Sequence, residues 1–309
     1  MMTTSLSRHS FLNFFGALIA VALLGGLAAT EAQALDLTLP VGNTERRAIV
    51  INEPPPGEIR PVVLVLHGGK GSARAQQDRT GFDQLARRDG FTVVYPEGAE
   101  YGNRGFHAWN TGYLMRNQVG ASDDVAFLDA LIDRLIQQHG ADPRRIYMTG
   151  GSNGGMMVFV YAVQRPERLA AVAPVVGAMF SFARKPSVPL PIMMINGGKD
   201  KEVPVEGGMS RNRMVRQAQA APFKSLSATV SFWVKANRSA RKPVTTVKGT
   251  VRTETYAATP GGAVTISVVD SAGGHGWPGT EPSGRGNTPI QSFGGAEKVW
   301  SFFKTQARR

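Results

Sequence analysis

Not one of the 309 residues is a cysteine. That absence removes disulfides, thiolate-bound metals, a cysteine nucleophile and a sulfur-attached lipid anchor. Histidine is nearly as scarce, with five in the chain: His9, His67, His107, His139 and His275. A reaction that needs an imidazole base therefore has few candidates. Long runs of like charge are missing too, although Lys and Arg number 35 against 23 Asp and Glu, a formal net charge of +12. The cations are scattered, as at Arg46–Arg47, Arg87–Arg88, Arg144–Arg145 and from Lys235 to Arg252. Nucleic-acid binding calls for a concentrated basic patch with interleaved aromatics, and the sequence has neither. The surplus suits acidic surfaces such as anionic lipid or polyanionic glycan, and carries no information about fold. Repeats, low-complexity tracts and long linkers are absent as well.

What is present starts at the N-terminus. "MMTTSLSRHS" carries Arg8 and no acid, "FLNFFGALIAVALLGGLAA" is apolar, and the small-x-small triplet Ala32-Gln33-Ala34 follows. This is the order of a secretory signal, and it predicts cleavage after Ala34. The competing reading is an uncleaved anchor, since the apolar stretch is nearly long enough to span a bilayer. Gly25–Gly26 and the Ala-x-Ala site favour cleavage, with residues 1–34 as signal peptide and 35–309 as the functional domain. The product is expected to be secreted or periplasmic, with no stable membrane anchor. About 270 residues remain, enough for one large core or two small ones.

Within them, "RRAIVINEPPP" reads as a strand stopped by prolines. "RPVVLVLHGG", "FTVVYPEG", "LAAVAPVVGA" and "LPIMMINGGKD" are apolar throughout, the pattern of buried parallel strands. "GFDQLARRDG" is a short helix closed by Gly90. "SDDVAFLDALIDRLIQQHG" is the clearest helix: Ser122 is the expected N-cap, Asp123 and Asp124 suit the positive end of its dipole, and Gly140 ends it. Val125, Leu128, Leu131, Ile132 and Leu135 share one face. "GGMMVFVYAVQRP" is a helix ending before Pro166, and "AGGAEKVWSFFKTQARR" closes the chain as an amphipathic helix. Strands alternating with helices predict an α/β fold with a mostly parallel central sheet covered on both faces. Ligands of such sheets collect at the C-terminal ends of the strands.

One of those ends carries "GGSNGG". Gly150-x-Ser152-x-Gly154 lies where the strand "RRIYMT" gives way to a helix, the context of a nucleophile elbow. Its glycines leave room for a tight turn, and the helix N-terminus offers free N–H groups to a developing oxyanion. A serine needs a base, and the base an orienting acid, in the order serine, acid, histidine. Only His275 follows Ser152, in the glycine-flanked loop "GGHGWPG". The aspartates downstream are Asp200 and Asp270. Asp200 lies just beyond a buried strand and is the better placed; Asp270, five residues before His275, is the weaker candidate. "LVLHGGKGSA" puts a His-Gly-Gly turn at the end of the first long strand, where backbone N–H groups could meet the same oxyanion. The Asn153 N–H is the expected second donor, and His67 is read as packing beneath the turn.

Together these residues resemble the exported poly(3-hydroxybutyrate) depolymerase-like esterases, which include feruloyl and acetyl-xylan esterases and LpqC-like proteins. The likeness runs through "LVLHGGKGSA", "DDVAFLDALID", "RRIYMTGGSNGGMM", "INGGKDKEVPVEGG" and "GGHGWPG". It implies an α/β-hydrolase fold, with Ser152 as nucleophile, Asp200 as acid, His275 as base and Gly69 as an oxyanion donor. The chain departs from the family in lacking the cysteines that many depolymerases carry, in Asn196 where relatives often have histidine, and in Lys70 where glycine is common. Lys70, Trp109, Tyr113 and Trp277 are candidates for the substrate pocket, although Trp277 also reads as a wedge under the histidine loop. Met209, Met214, Phe223 and Trp233 could belong to a lid, with helix core the blander reading for Trp233.

The expectation is a secreted serine ester hydrolase working through an acyl-enzyme, with no metal or organic cofactor. Hydroxyalkanoate oligomers, feruloylated or acetylated polysaccharide and small acyl esters all fit. The lack of room for a linker and a polymer-binding domain tilts the choice towards soluble esters. Two alternatives use the same residues: an acyltransferase or peptidase on this triad, and a non-catalytic glycan-binding protein of the same fold.

Overall fold

The strands form where apolar residues run without interruption, because a segment with no polar face must be covered on both sides. Val62 to Leu66 have no exposure to solvent at all. The computed structural model describes residues 1–2, 34–102, 105–120, 122–282 and 288–308. The chain divides into two units, Met1–Glu31 and Ala32–Arg309. The signal-peptide reading of residues 1–34 falls almost wholly outside the described residues. All the strands and helices named below belong to the second unit.

Among the described residues the strands are β1 (Leu35–Val41), β2 (Thr44–Ile51), β3 (Arg60–Leu66), β4 (Thr92–Pro96), β5 (Ala99–Tyr101), β6 (Phe106–Ala108), β7 (Ala141–Gly151), β8 (Ala171–Val175), β9 (Ile192–Gly197), β10 (Val244–Lys248), β11 (Val251–Tyr256) and β12 (Thr265–Asp270). The helices are α1 (Ala73–Thr80), α2 (Phe82–Asp89), α3 (Arg116–Val119), α4 (Asp124–Gln138), α5 (Asn153–Gln164), α6 (Arg213–Ala218), α7 (Leu226–Ala236) and α8 (Gly295–Phe303). Ten strands make one sheet in the order β1-β2-β4-β3-β7-β8-β9-β12-β11-β10, and β5 and β6 form a separate hairpin. The six strands from β4 to β12 in this order run parallel. The pairs at either edge, β1–β2 and β10–β11, join antiparallel. The expected mostly parallel sheet is therefore present, extended by hairpins at both ends.

Each face of the sheet has its own core. On one, Phe127 and Leu131 of α4, Met157 and Tyr161 of α5 and Trp233 of α7 pack together. On the other, Phe82 and Leu85 of α2 meet Val299 and Phe303 of α8. Burying a side chain of this size contributes about 1.5–3 kcal/mol, so the apolar stripe of α4 alone explains its docking. No helix among the described residues is long and apolar enough to cross a membrane.

The start of α4 differs from expectation. Asp123, not Ser122, caps the helix, its carboxylate accepting the Ala126 N–H at 2.9 Å. The Ser122 hydroxyl instead donates to Asp124 at 3.3 Å. Asp124 is drawn inward rather than left to the helix dipole: it pairs with buried Arg46 of β2 at 2.8 Å and accepts the Asn110 N–H at 2.6 Å.

Two registers place the functional loops. Leu66 pairs with Gly150 across β3 and β7, so the His-Gly-Gly turn leaves the sheet beside the serine turn. Gly197 pairs with Asp270 across β9 and β12, which sets the Asp200 loop alongside the His275 loop.

Candidate active site

Ser152 links β7 to α5 with φ 55° and ψ −120°. A non-glycine residue in this region costs about 1–3 kcal/mol and persists only where its surroundings fix it. Here the Ser152 N–H donates to the Val175 carbonyl of β8 and its own carbonyl accepts the Met156 N–H, each at 2.9 Å. The turn sits so close to β3 that a Cβ on Gly154 would lie 2.5 Å from the carbonyl oxygens of both Leu66 and His67, and one on Gly150 2.8 Å from the Leu66 oxygen. Glycine at both positions is thus a steric requirement of the close approach. Met156 and Met157 are buried in the first turns of α5, under the serine.

The acid and the base arrive on neighbouring loops. A Cβ on Gly197 would strike the Gly274 carbonyl, so only glycine lets the two loops pack. The Lys199 N–H donates to the Gly273 carbonyl and the Gly198 N–H to that of Asp270, both at 2.8 Å. Asp200, buried, accepts the Glu202 and Val203 N–H groups on Oδ1, each at 2.8 Å. Its Oδ2 lies 2.8 Å from His275 Nδ1, and His275 Nε2 lies 2.9 Å from Ser152 Oγ. The three residues that chain order singles out are joined in one hydrogen-bonded line. Burial opposes protonation of His275, but the charge and hydrogen bond of Asp200, with the charge of Glu202, outweigh it and raise the ring's pKa. Asp270 is engaged elsewhere, accepting from Ser292 at 2.7 Å and the Ala272 N–H at 3.0 Å to hold the turn before His275.

The "HGG" turn faces the serine. Ideal Cβ positions on Gly68 and Gly69 would come within 3.5 Å of Ser152 Cβ and 3.6 Å of Asn153 Cβ. Lys70 follows at φ 65°, its N–H donating to the His107 carbonyl at 2.9 Å. Asn153 is the first residue of α5, where backbone N–H groups have no partner within the helix. Gly69, in the turn after β3, and Asn153, at the start of α5, therefore lie next to one another beside Ser152. His67 lies beneath, as expected. Burial drives its pKa down to about 4, leaving it neutral. Its Nε2 accepts the Gly98 N–H at 2.9 Å, so the proton is on Nδ1, donated to the Gly68 carbonyl at 2.8 Å.

The pocket candidates separate. Trp109 is fully buried, lying 5.3 Å from the His67 ring and stacked on Phe127 at 6.5 Å, and so does not line a substrate surface. Trp277 is also buried, against Phe82 and Gly151, which leaves the wedge reading rather than the pocket one. Tyr113 is 41% exposed and stacks on Phe180 at 5.4 Å. Lys70 is exposed, with Nζ 3.7 Å from Met214 Sδ. Met209 and Met214 are exposed, whereas Phe223 and Trp233 are core residues. Two contributors escaped sequence reading. Glu202, with Oε2 3.6 Å from His275 Nε2, had as its signal only a place two residues after the acid. The Asn153 side chain turns away to bond Trp109, and only its place after the serine could have drawn notice. Among the described residues no group of three or more His, Asp or Glu is arranged to hold a metal ion.

Known proteins resemble the chain in sequence and in fold. The sequence profile of the family described as "Esterase PHB depolymerase" matches residues 49–206. The chain is 30% identical over 234 residues to the "Putative esterase NocK" of Nocardia uniformis subsp. tsuyamanensis, covering 72% of this chain and 67% of that one. It is 29% identical over 223 residues to "Feruloyl esterase B" of Piromyces equi, covering 70% of this chain but only 39% of that longer protein. Among solved structures, an acetyl xylan esterase from Aspergillus awamori superposes with a TM-score of 0.58 at 14% identity, covering 88% of this chain and 99% of that one. At that identity the likeness speaks for the fold alone.

Proposed function

Because this chain belongs to the esterase PHB depolymerase family and has the α/β-hydrolase fold, we propose that it is an exported serine esterase that cleaves carboxylic esters through an acyl-enzyme on Ser152. The observation that carries the reading is the unbroken line Ser152–His275–Asp200, with contacts of 2.9 and 2.8 Å, at the C-terminal ends of the parallel strands. In the first half-reaction His275 Nε2 takes the Ser152 proton as Oγ attacks the ester carbonyl. Asp200 keeps the Nδ1–H tautomer and stabilises the imidazolium. The tetrahedral oxyanion accepts the N–H groups of Gly69 and Asn153. As the intermediate collapses, the C–O bond to the alcohol breaks and His275 returns its proton to the departing oxygen. Water, deprotonated by the same ring, then attacks the acyl-enzyme, and the acid leaves with Ser152 restored.

The substrates that fit are feruloylated or acetylated polysaccharide, hydroxyalkanoate oligomers and small acyl esters. The exposed Tyr113 ring on Phe180 offers an aromatic face that suits an aryl acyl group. The N-terminal sequence supports export with cleavage after Ala34, leaving residues 35–309 as the catalytic domain. One experiment tests both parts, using protein recovered outside the cytoplasm of the expressing cell. Its intact mass should place the N-terminus at Leu35, and Ser152→Ala should lower hydrolysis of p-nitrophenyl butyrate at least about 10³-fold with the circular dichroism unchanged. Wild-type rates in the folded alanine variant would sink the assignment.

A further inference from the structure

The residue after the nucleophile contributes more than its own N–H. The Asn153 side chain is buried, and both of its polar atoms engage one residue of another segment. Its Oδ1 accepts the Trp109 N–H at 2.7 Å and its Nδ2 donates to the Trp109 carbonyl at 3.0 Å. Trp109 in turn donates its indole N–H to the His67 carbonyl at 2.9 Å. The neutral His67 ring donates from Nδ1 to the Gly68 carbonyl at 2.8 Å and is itself held by the Gly98 N–H at 2.9 Å. Gly69, the next residue, returns to van der Waals range of Asn153, an added Cβ there lying 3.6 Å from Asn153 Cβ. The contacts close a ring through Asn153, Trp109, His67 and the Gly68–Gly69 turn.

We propose that Asn153, Trp109 and His67 form a hydrogen-bonded brace that fixes the Gly69 and Asn153 N–H groups relative to each other, and so are positioning residues for ester hydrolysis. The proposal rests on the oxyanion role of those two N–H groups in the proposed esterase reaction. They come from separate elements, a glycine turn after β3 and the first residue of α5, and nothing in either element alone sets the gap between them. A glycine turn is the least self-ordering of backbones. Donors stabilise a transition state only if they need no reorganisation when charge develops, and a misplacement of about 1 Å costs on the order of a hundredfold in rate. Asn suits the position because its amide supplies the donor and the acceptor that one backbone unit requires; Asp would set a second acceptor against the Trp109 carbonyl.

The test compares Asn153→Asp, His67→Ala and His67→Asn in the full exported protein, with active sites counted by completed fluorophosphonate labelling of Ser152. For p-nitrophenyl butyrate, kcat per labelled site should fall about a hundredfold in Asn153→Asp and in His67→Ala while KM stays within about threefold. Affinity for an alkylboronic acid, whose Ser152 adduct places an oxygen between the two N–H groups, should weaken in proportion. His67→Asn, which keeps a donor near the Gly68 carbonyl, should recover part of the loss. Trp109→Phe keeps most of the ring, drops only the indole N–H and serves if either other site fails to fold; its kcat should fall about tenfold. Values of kcat per site within threefold of wild type, or boronate affinity unmoved by a fall in kcat, would overturn the brace. A wild-type protein with no Ser152-dependent hydrolysis would overturn the ester reading itself, and is measured first.

Discussion

At the scale of single residues the site is a contest over one proton. In the proposed reaction His275 must be neutral to accept it from Ser152, and Asp200 and Glu202 raise the ring's pKa above the ordinary 6.5 despite its burial. A raised pKa means that the imidazole protonates sooner as the medium is acidified. Activity should therefore fall as pH drops through a value above 6.5, with kcat/KM constant on the alkaline side of that step. Glu202→Gln removes one of the raising charges, so the acid limb should move to lower pH while the alkaline plateau stays Ser152-dependent. A pH profile of kcat/KM for a neutral ester checks this, and an acid limb that stays put or moves up contradicts it. The proposed triad is readable in the sequence because scarcity narrows the choice: one histidine follows the serine, and of two aspartates Asp200 lies in the loop beyond β9 whereas Asp270 is the last residue of β12. Trp109 and Trp277 mislead because an aromatic beside a catalytic motif reads the same whether it faces solvent or core. Only packing separates them, and both are buried.

At the scale of elements, apolar runs are legible as β3, β4, β7, β8 and β9, and helical periodicity as α4 and α5. The elements that the pattern hides are made by their neighbours. In β10 all five residues are exposed, so it has no apolar face to betray it; it is defined by pairing with β11. The β1 strand is a different case: it alternates cleanly, Leu37 and Leu39 buried between exposed Asp36, Thr38 and Pro40, and it pairs with β2. The start of α4 escapes local capping rules for a related reason: they cannot know that Arg46 waits across the chain. That guanidinium is buried, 2.8 Å from Asp124, 3.0 Å from the Glu97 carbonyl as a donor, and 4.2 Å over the Phe127 ring. The pair ties β2 to α4 and, through the Asn110 N–H, to the segment that carries Trp109. Asp124→Ala strands a buried cation and should destabilise the fold by about 3–5 kcal/mol, whereas Arg46→Met with Asp124→Leu should recover most of it. Urea denaturation of the three proteins measures this. A loss below about 1 kcal/mol in the single variant would show that the pair is already solvated.

At the scale of the whole molecule the unexplained feature is charge. The formal net charge of +12 survives removal of residues 1–34, because Arg8 and Glu31 cancel. None of this surplus is needed by the triad, whose own ion pair is Asp200 with the ring of His275 when protonated. A positive surface does nothing for a small neutral ester, but it raises the local concentration of a polyanion by long-range attraction. Salt screens that attraction beyond about 10 Å at 0.1 M ionic strength, and leaves the buried contacts of the site nearly untouched. The two classes of substrate should therefore part company in salt. Between 20 mM and 500 mM NaCl, KM for an acetylated, uronate-bearing polysaccharide should rise about tenfold or more, while kcat/KM for p-nitrophenyl acetate should stay within about twofold. If kcat/KM falls alike for both substrates, salt acts on the site itself rather than on substrate capture. If neither moves, the surplus charge has no part in substrate capture, and small esters become the stronger assignment.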